Sequence, residues 1–144
     1  MGMYVTVKAV PANNPDAHGE SVSLEKAWHG LHYLLTGSAT EGPPPLGFIL
    51  EGGQPIGDGG GYGPPRLFSP SEVQQMHKAL SAISDDKLWS RFNAEEMTDQ
   101  DVYPGIWDEP EEELREEYVM YFNELKKLFA AAASKKLAVV VRLD

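Results

Sequence analysis

The chain has 144 residues, of which 42% are hydrophobic and 24% charged, a formal net charge of -10 and no cysteine. This length and composition are typical of one globular domain, so we expect residues 1–144 to fold as a single unit. The absence of cysteine excludes disulfides, thiolate metal sites and a cysteine nucleophile, and an acidic chain without a basic stripe does not favour nucleic-acid binding.

The N-terminal segment predicts a strand. Residues 4–10 alternate apolar and polar side chains, include several β-branched residues, and end at Pro11. The segment lacks the basic and apolar regions of a signal peptide. No apolar run in the chain approaches the roughly 18 residues that a membrane-spanning helix needs. We therefore expect a cytoplasmic protein without a membrane partner.

A helix is predicted from about residue 24 to residue 36, with Gly37 as its C-terminal stop. His29 and His32 lie beside its apolar stripe, and with Glu25 they fall within about 60° on the helical wheel. One interpretation is a metal or acid–base site. The other is a pair of hydrogen-bonded boundary histidines, which we favour because the more specific H-E-x-x-H pattern is absent. We therefore predict no metal and no cofactor.

A glycine-rich segment follows a short apolar run. Residues 46–50 predict a short strand, and seven of the twelve residues from 52 to 63 are glycine. The segment lacks the Gly-Lys-Ser/Thr ending of a P-loop and the spacing of a dinucleotide-binding loop. A tight or flexible hairpin and a ligand-contacting loop both remain open as interpretations.

The remainder of the chain predicts several helices and a final strand. Ser69 and Glu72 form a capping box for a helix to about residue 83, Ser84 caps a shorter helix through residue 92, and Asn93 caps one more turn. A long helix is predicted over 109–134. Residues 137–143 include three consecutive valines, a pattern that predicts a strand buried on both faces.

The two terminal segments are the most strand-like parts of the chain. The economical arrangement places them side by side in one sheet that the helices cover. The sequence therefore predicts an α+β single domain with a small sheet that includes both terminal strands, packed by four or five helices.

Negative charge is concentrated in one window. Residues 95–117 contain eleven acidic residues and one basic residue, Arg115, so this window carries the whole net charge. The helix dipole accounts for the acids of residues 108–113, at the predicted start of the long helix, but less well for the earlier acids. These earlier acids could form a solvated face, or a face used by a cation or a basic partner. Of these interpretations we pursue a surface for a basic protein that also includes two nearby aromatic residues. The candidate residues of this surface are Glu95, Glu96, Asp99, Asp101, Tyr103 and Trp107.

A second candidate site centres on His32. We hypothesise that the glycine-rich loop folds over the first helix and brings residues 57–66 to the mouth of a pocket beside this histidine. Asp58 near the imidazole would raise the pKa of His32. The alternative is a loop in solvent and a histidine with one structural hydrogen bond. The candidate ligand-binding residues are Trp28, His29, His32, Asp58, Tyr62 and Arg66.

Four segments together resemble a known family. They are residues 1–3 (MGM), 26–37 (KAWHGLHYLLTG), 62–66 (YGPPR) and 102–104 (VYP). The chain is similar to the YfbM-like family, a bacterial domain of unknown function. The resemblance implies a small α+β cytoplasmic domain, with no established activity, cofactor or catalytic residue. His32 falls on the family's W-x-x-L-H-x-x-L-T-G motif, whereas the position of His29 is variable there.

Two functions are compatible with these features. The first is a binding or interaction module without its own catalysis, for example an immunity-type protein that neutralises a basic toxin. The alternative is a small enzyme, such as a hydrolase, in which His32 is the general base. The absence of a recognisable nucleophile and of a clear acid–base pair counts against the enzyme. A deep pocket around His32 would favour the enzyme, and a flat acidic surface with aromatic residues would favour the module.

Overall fold

The sheet is built around the two terminal strands. The computed structural model describes residues 3–57 and 63–144. Within them, strand β1 (Val5–Val10) pairs antiparallel with strand β5 (Ala138–Leu143) over its whole length. The remaining strands are short, and the order across the sheet is β2-β1-β5-β4-β3. The shorter strands are β2 (Ser21–Ser23), β3 (Gln54–Pro55) and β4 (Arg66–Phe68). The predicted pairing of the terminal strands is confirmed.

Five α-helices are present in the described residues. Three of them start after the predicted capping residues Ser69, Ser84 and Asn93. These caps are confirmed, because each side chain accepts a hydrogen bond from the backbone N–H three residues later. The helix ends differ from the predicted ones by up to three residues. The helices are α1 (Trp28–Thr36), α2 (Pro70–Ser81), α3 (Asp85–Trp89), α4 (Ala94–Asp99) and α5 (Glu111–Ser134).

The first and last helices both begin later than predicted. A 3-10 turn, Glu25–Ala27, precedes α1, and Pro110 is the extended residue before α5 instead of lying inside its first turn.

Gly37 ends α1 as expected: its φ is 81° and its N–H bonds to the Tyr33 carbonyl at 2.7 Å. A residue with a side chain is strained at this φ, which explains the glycine.

The predicted strand over residues 46–50 is wrong. Leu46–Ile49 forms a 3-10 helix. Its backbone hydrogen bonds are local, since Gly47 N–H bonds to Pro43 O and the N–H of Glu51 bonds to Gly47 O. A five-residue apolar run does not by itself distinguish a buried strand from a buried helical turn.

The two faces of the sheet have different environments. Val5 and Val7 of β1 and Val139 and Val141 of β5 belong to the main core, together with the helices. The opposite, outer face carries a smaller apolar cluster of Val10, Ala138 and Val140, against which Ile56 and Leu67 pack. The predicted burial of the final strand on both faces is therefore confirmed. Strands β3 and β4 pair antiparallel, so the described base of the glycine-rich segment is a hairpin.

Candidate functional site

His29 is tied to the backbone at both ring nitrogens. Its Nε2 donates to the Ala39 carbonyl at 2.7 Å, and its Nδ1 accepts the N–H of Tyr103 at 2.9 Å. An acceptor role at Nδ1 fixes the Nε2–H tautomer. The ring also stacks on Trp28, with centroids 5.1 Å apart. Both nitrogens are thus used to hold α1 against two loops.

Trp28 lies between residues of the two candidate sites. Its indole N–H donates to Met3 O at 3.0 Å, and its ring stacks on Tyr103 with centroids 5.6 Å apart. The Tyr103 hydroxyl accepts the N–H of Met3 at 3.3 Å. The structure thus brings together three residues that the sequence assigned to separate sites: Trp28 and His29 on the first helix, and Tyr103 near the acidic window.

His32 is fully buried. Its Nε2 donates to the Glu41 carbonyl at 3.1 Å, and its Nδ1 has no hydrogen-bond partner within the described residues. Burial lowers the pKa of His32, because desolvation disfavours the charged imidazolium. The predicted rise of this pKa through Asp58 stays a prediction, because Asp58 lies outside the described residues. Burial thus favours the neutral ring, whose Nδ1 lone pair finds no partner in the part of the chain that the structure describes.

A small cavity lies close to His32 but is not lined by it. A Cβ on Gly42 would lie 2.9 Å from Cε1 of His32, and Gly42 borders a cavity of about 280 Å³. Two carboxylates, Glu51 and Glu72, also line this cavity among otherwise mainly apolar residues. His32 lines neither this cavity nor the larger one described below. Gly42 therefore lies between the imidazole and this cavity.

Arg66 is a backbone clamp. Its guanidinium donates to the carbonyls of Phe48 at 2.9 Å, Ile49 at 2.6 Å and Gly52 at 2.9 Å. These carbonyls lie at and beyond the end of the 3-10 helix, where a positive charge is favourable. Burial lowers the pKa of Arg66, and the Glu51 charge opposes this. The clamp accounts for this arginine without a ligand.

The described ends of the glycine-rich loop lie away from His32. Ile56, Gly57, Gly63 and Pro65 line a cavity of about 700 Å³ on the outer face of the sheet, whereas His32 lies in the helical layer on the other face. Asp58 and Tyr62 fall outside the described residues, so their proposed approach to His32 stays a prediction.

The acidic window forms an exposed surface. All eleven of its carboxylate side chains are exposed, and we call this set the acidic surface. Within residues 3–57 and 63–144 one ion pair occurs, between Arg115 and Asp86, so the only base of the window pairs with an acid outside it. The acidic surface consists of Glu95, Glu96, Asp99, Asp101, Asp108, Glu109, Glu111, Glu112, Glu113, Glu116 and Glu117.

The aromatic residues predicted for this surface are packed against the protein. Trp107 is 2% exposed, and its indole donates to Val102 O at 2.8 Å. Tyr103 is half-buried. Glu95 and Glu96 lie in the first turn of α4, where the helix dipole favours negative charge. The surface is therefore acidic but lacks the exposed aromatic rings that the sequence suggested.

Residues 3–57 and 63–144 lack the features of a metal site and of a membrane-spanning helix. No cluster of three or more histidine, aspartate or glutamate side chains is arranged to hold a metal ion there. No helix in that part of the chain combines the length and apolar character needed to cross a bilayer.

Sequence reasoning missed the cavity on the outer face. Its floor includes Thr6, Lys8 and Arg142, which are the outward-facing polar positions of the two terminal strands. The signal was present as the alternation of β1, but alternation alone does not show which loop covers the outward face.

These features define an α+β domain with a five-stranded antiparallel sheet and its main helical layer on one face. The chain belongs to the family described as a domain of unknown function, DUF1877, whose model matches residues 3–142. Its structure is similar to the crystal structure of YfbM from Escherichia coli, itself described as a protein of unknown function. The TM-score is 0.73 at 16% sequence identity, over 98% of this chain and 99% of that chain. This similarity shows the fold alone, and no curated protein matches the chain.

Proposed function

We propose that this protein is an interaction module that binds a basic protein through the acidic surface. The main support is charge that the fold leaves uncompensated. Eleven exposed carboxylates share the window with Arg115, which pairs with Asp86 outside it. A dense field of one sign attracts a partner of the opposite sign and accelerates its association.

The helix dipole accounts for only part of this charge. The acids in the first turns of α4 and α5 lie at the favourable ends of those helices. Asp99 is the last residue of α4, and Asp101 follows it in a turn with a positive φ. Negative charge at a helix C-terminus opposes the dipole, so the stability of the free chain does not explain these two acids.

Repulsion between carboxylates of the acidic surface also supports a basic partner. The pKa of Glu117 is raised, first by burial and also by the charge of Glu109. Like charges held this close destabilise the folded chain. A basic partner would remove the repulsion, so part of the binding free energy would come from relief of an existing strain.

An immunity-type protein is one specific form of this proposal. Such a protein would neutralise a basic toxin in the bacterial cytoplasm by tight binding without turnover. The alternative function, a hydrolase with His32 as general base, has less support. A general base must come within about 3 Å of the proton it removes, and His32 is fully buried and borders neither cavity.

The proposal is tested with two variants of equal net charge. The first neutralises part of the acidic surface through Asp99→Asn, Asp101→Asn and Glu116→Gln; asparagine tolerates the positive φ at residue 101. The control neutralises three exposed acids elsewhere, through Glu20→Gln, Glu41→Gln and Glu124→Gln. Proteins captured from the native lysate are identified, purified and titrated against wild type and both variants.

We expect a basic captured protein whose affinity falls about tenfold or more in the surface variant and less than about twofold in the control. Its affinity should also fall steeply between about 0.05 M and 0.5 M salt, because exposed charges are screened. Equal losses in the two variants, or affinity independent of salt, would place the interaction on a different surface.

A further inference from the structure

The outer face of the sheet holds a cavity of about 700 Å³. Its floor consists of outward-facing residues of the two central strands, among them Thr6, Lys8 and Arg142. Its walls include the described ends of the glycine-rich hairpin. A volume of this size lies within the range of small-molecule sites, about 300–1,000 Å³. Neither the acidic surface nor His32 contributes to its lining.

Strand register brings two cations together on this floor. Thr6 lies opposite Arg142, and Lys8 lies opposite Val140, so Lys8 and Arg142 are diagonal neighbours on one face. Diagonal positions are about 7–8 Å apart, within reach of long side chains. Neither cation forms an ion pair within the described parts of the chain. A hydroxyl and two cationic side chains thus stand together on the rigid centre of the sheet.

The surroundings limit what this floor can bind. Val140 and Ile56 line the cavity and belong to the apolar cluster of the outer face, so a ligand with an apolar part finds a partner for it. Two carboxylates, Asp16 and Asp144, also line the cavity. Because these two side chains balance the side-chain charges of Lys8 and Arg142, the cavity does not favour a polyanion such as nucleic acid.

We propose that this cavity binds a small organic anion. The carboxylate or phosphate group of this ligand lies between Lys8 and Arg142 and accepts a hydrogen bond from the Thr6 hydroxyl. The apolar part of the ligand packs on Val140 and Ile56. An anion between the two cations removes their mutual repulsion, and Arg142 offers a fork of donors that matches the geometry of either acid group. This site is separate from the acidic surface, so each proposal can fail without the other.

The test uses four small probes with the full chain at constant ionic strength. Benzoate and phenyl phosphate combine an acid group with an apolar ring, inorganic phosphate lacks the ring, and benzylamine carries the opposite charge on a similar ring. Backbone amide shifts are followed by NMR during each titration. We expect saturable shifts concentrated in β1 and β5 with benzoate or phenyl phosphate. Inorganic phosphate should give weaker shifts and benzylamine none, and the stronger of the first two identifies the preferred acid group.

Matched variants assign the binding to the two cations. Lys8→Gln with Arg142→Gln should weaken the preferred probe about tenfold or more, equivalent to about 1.4 kcal/mol. Lys26→Gln with Lys78→Gln, which removes the same charge from exposed positions elsewhere, should change it less than about twofold. If the double variant melts early, the single Arg142→Gln variant replaces it, since this side chain is exposed.

Three results would overturn the site. They are the absence of a saturable shift with every probe, binding of benzylamine as tight as that of benzoate, and equal weakening in the two pairs of variants. The first shows that the cavity takes none of the proposed ligands. The second shows that the cations do not select the ligand, and the third shows only a general effect of net charge.

Discussion

A Cβ on Gly30 would lie 2.6 Å from the ring of Tyr118. Helix α1 therefore packs closely against this ring at a residue that has no side chain. Trp107 closes the same space, also 2.6 Å from that position. The glycine at position 30 is thus explained by packing.

Gly30→Ala should destabilise the fold by about 1–3 kcal/mol, because an added methyl group forces two buried rings to move. The free energy of unfolding in urea measures this effect. The sign is decisive, since the same change in an unhindered helix stabilises by up to about 1 kcal/mol. A more stable variant would contradict the close packing.

The burial of His32 predicts a pH dependence of stability. Its pKa is lowered in the folded state from the ordinary value of 6.5, so below that pH the unfolded chain binds more protons than the folded one. Stability from this residue is therefore complete above about pH 6.5 and decreases as the pH falls toward the folded-state pKa. His32→Gln, which keeps a donor for Glu41 O but does not titrate, should lose this part of the slope.

Urea unfolding of wild type and variant from pH 5 to pH 7.5 gives the comparison, with His18→Gln as the control at an exposed histidine. The difference between the curves isolates His32 from groups such as Glu117, whose raised pKa gives a slope of the opposite sign. Parallel curves for wild type and His32→Gln would show that this imidazole does not contribute.

The clamp made by Arg66 predicts that lysine is a poor replacement. Lysine keeps the charge, but its single ammonium group does not reproduce the fork that reaches the carbonyls of Phe48, Ile49 and Gly52. Arg66→Lys should therefore lower stability by about 1–3 kcal/mol, measured by urea unfolding. Arg142→Lys, on the exposed side of β5, should be nearly neutral. Equal stability of the two variants would rule out a clamp.

The central place of β5 predicts that removing residues 137–144 abolishes cooperative unfolding. β5 lies between β1 and β4, so its loss leaves two separate strand pairs and exposes the valines of the core. Thermal melting followed by circular dichroism tests this, with full-length Arg142→Ala as the reference for a change confined to the outer face. A truncated chain that melts cooperatively at a similar temperature would show that the strand is dispensable.

The sequence predicted those features of the fold that depend on contacts between residues close together in the chain. Ser69, Ser84 and Asn93 start helices because each side chain bonds to a nearby backbone N–H, an interaction contained within four residues. Strands β2, β3 and β4 have two or three residues each, too few for alternation to emerge. Their positions are set by pairing within the sheet: β2 pairs with β1, β4 with β5, and β3 with β4.

The candidate sites were harder to predict because they depend on distant partners. The contact of His29 with the N–H of Tyr103 joins positions 74 residues apart, and the approach of Lys8 to Arg142 depends on the register of the two terminal strands. The sequence located the acids of residues 95–117 correctly, since exposure of charged side chains needs no partner. It did not show that Trp107 would turn inward, because an aromatic residue suits either environment.

The pairing of β1 with β5 must wait until nearly the whole chain has been synthesised. Leu143 is the residue opposite Val5 in the sheet. At a synthesis rate of about 5–20 residues per second, Leu143 is added roughly 7–28 s after Val5. During this interval β2 can already cover one side of β1, since residues 21–23 follow soon after. The other side keeps its backbone donors and acceptors open, the condition under which strands join wrong neighbours. The nascent chain is therefore most exposed to misassembly until its last strand emerges.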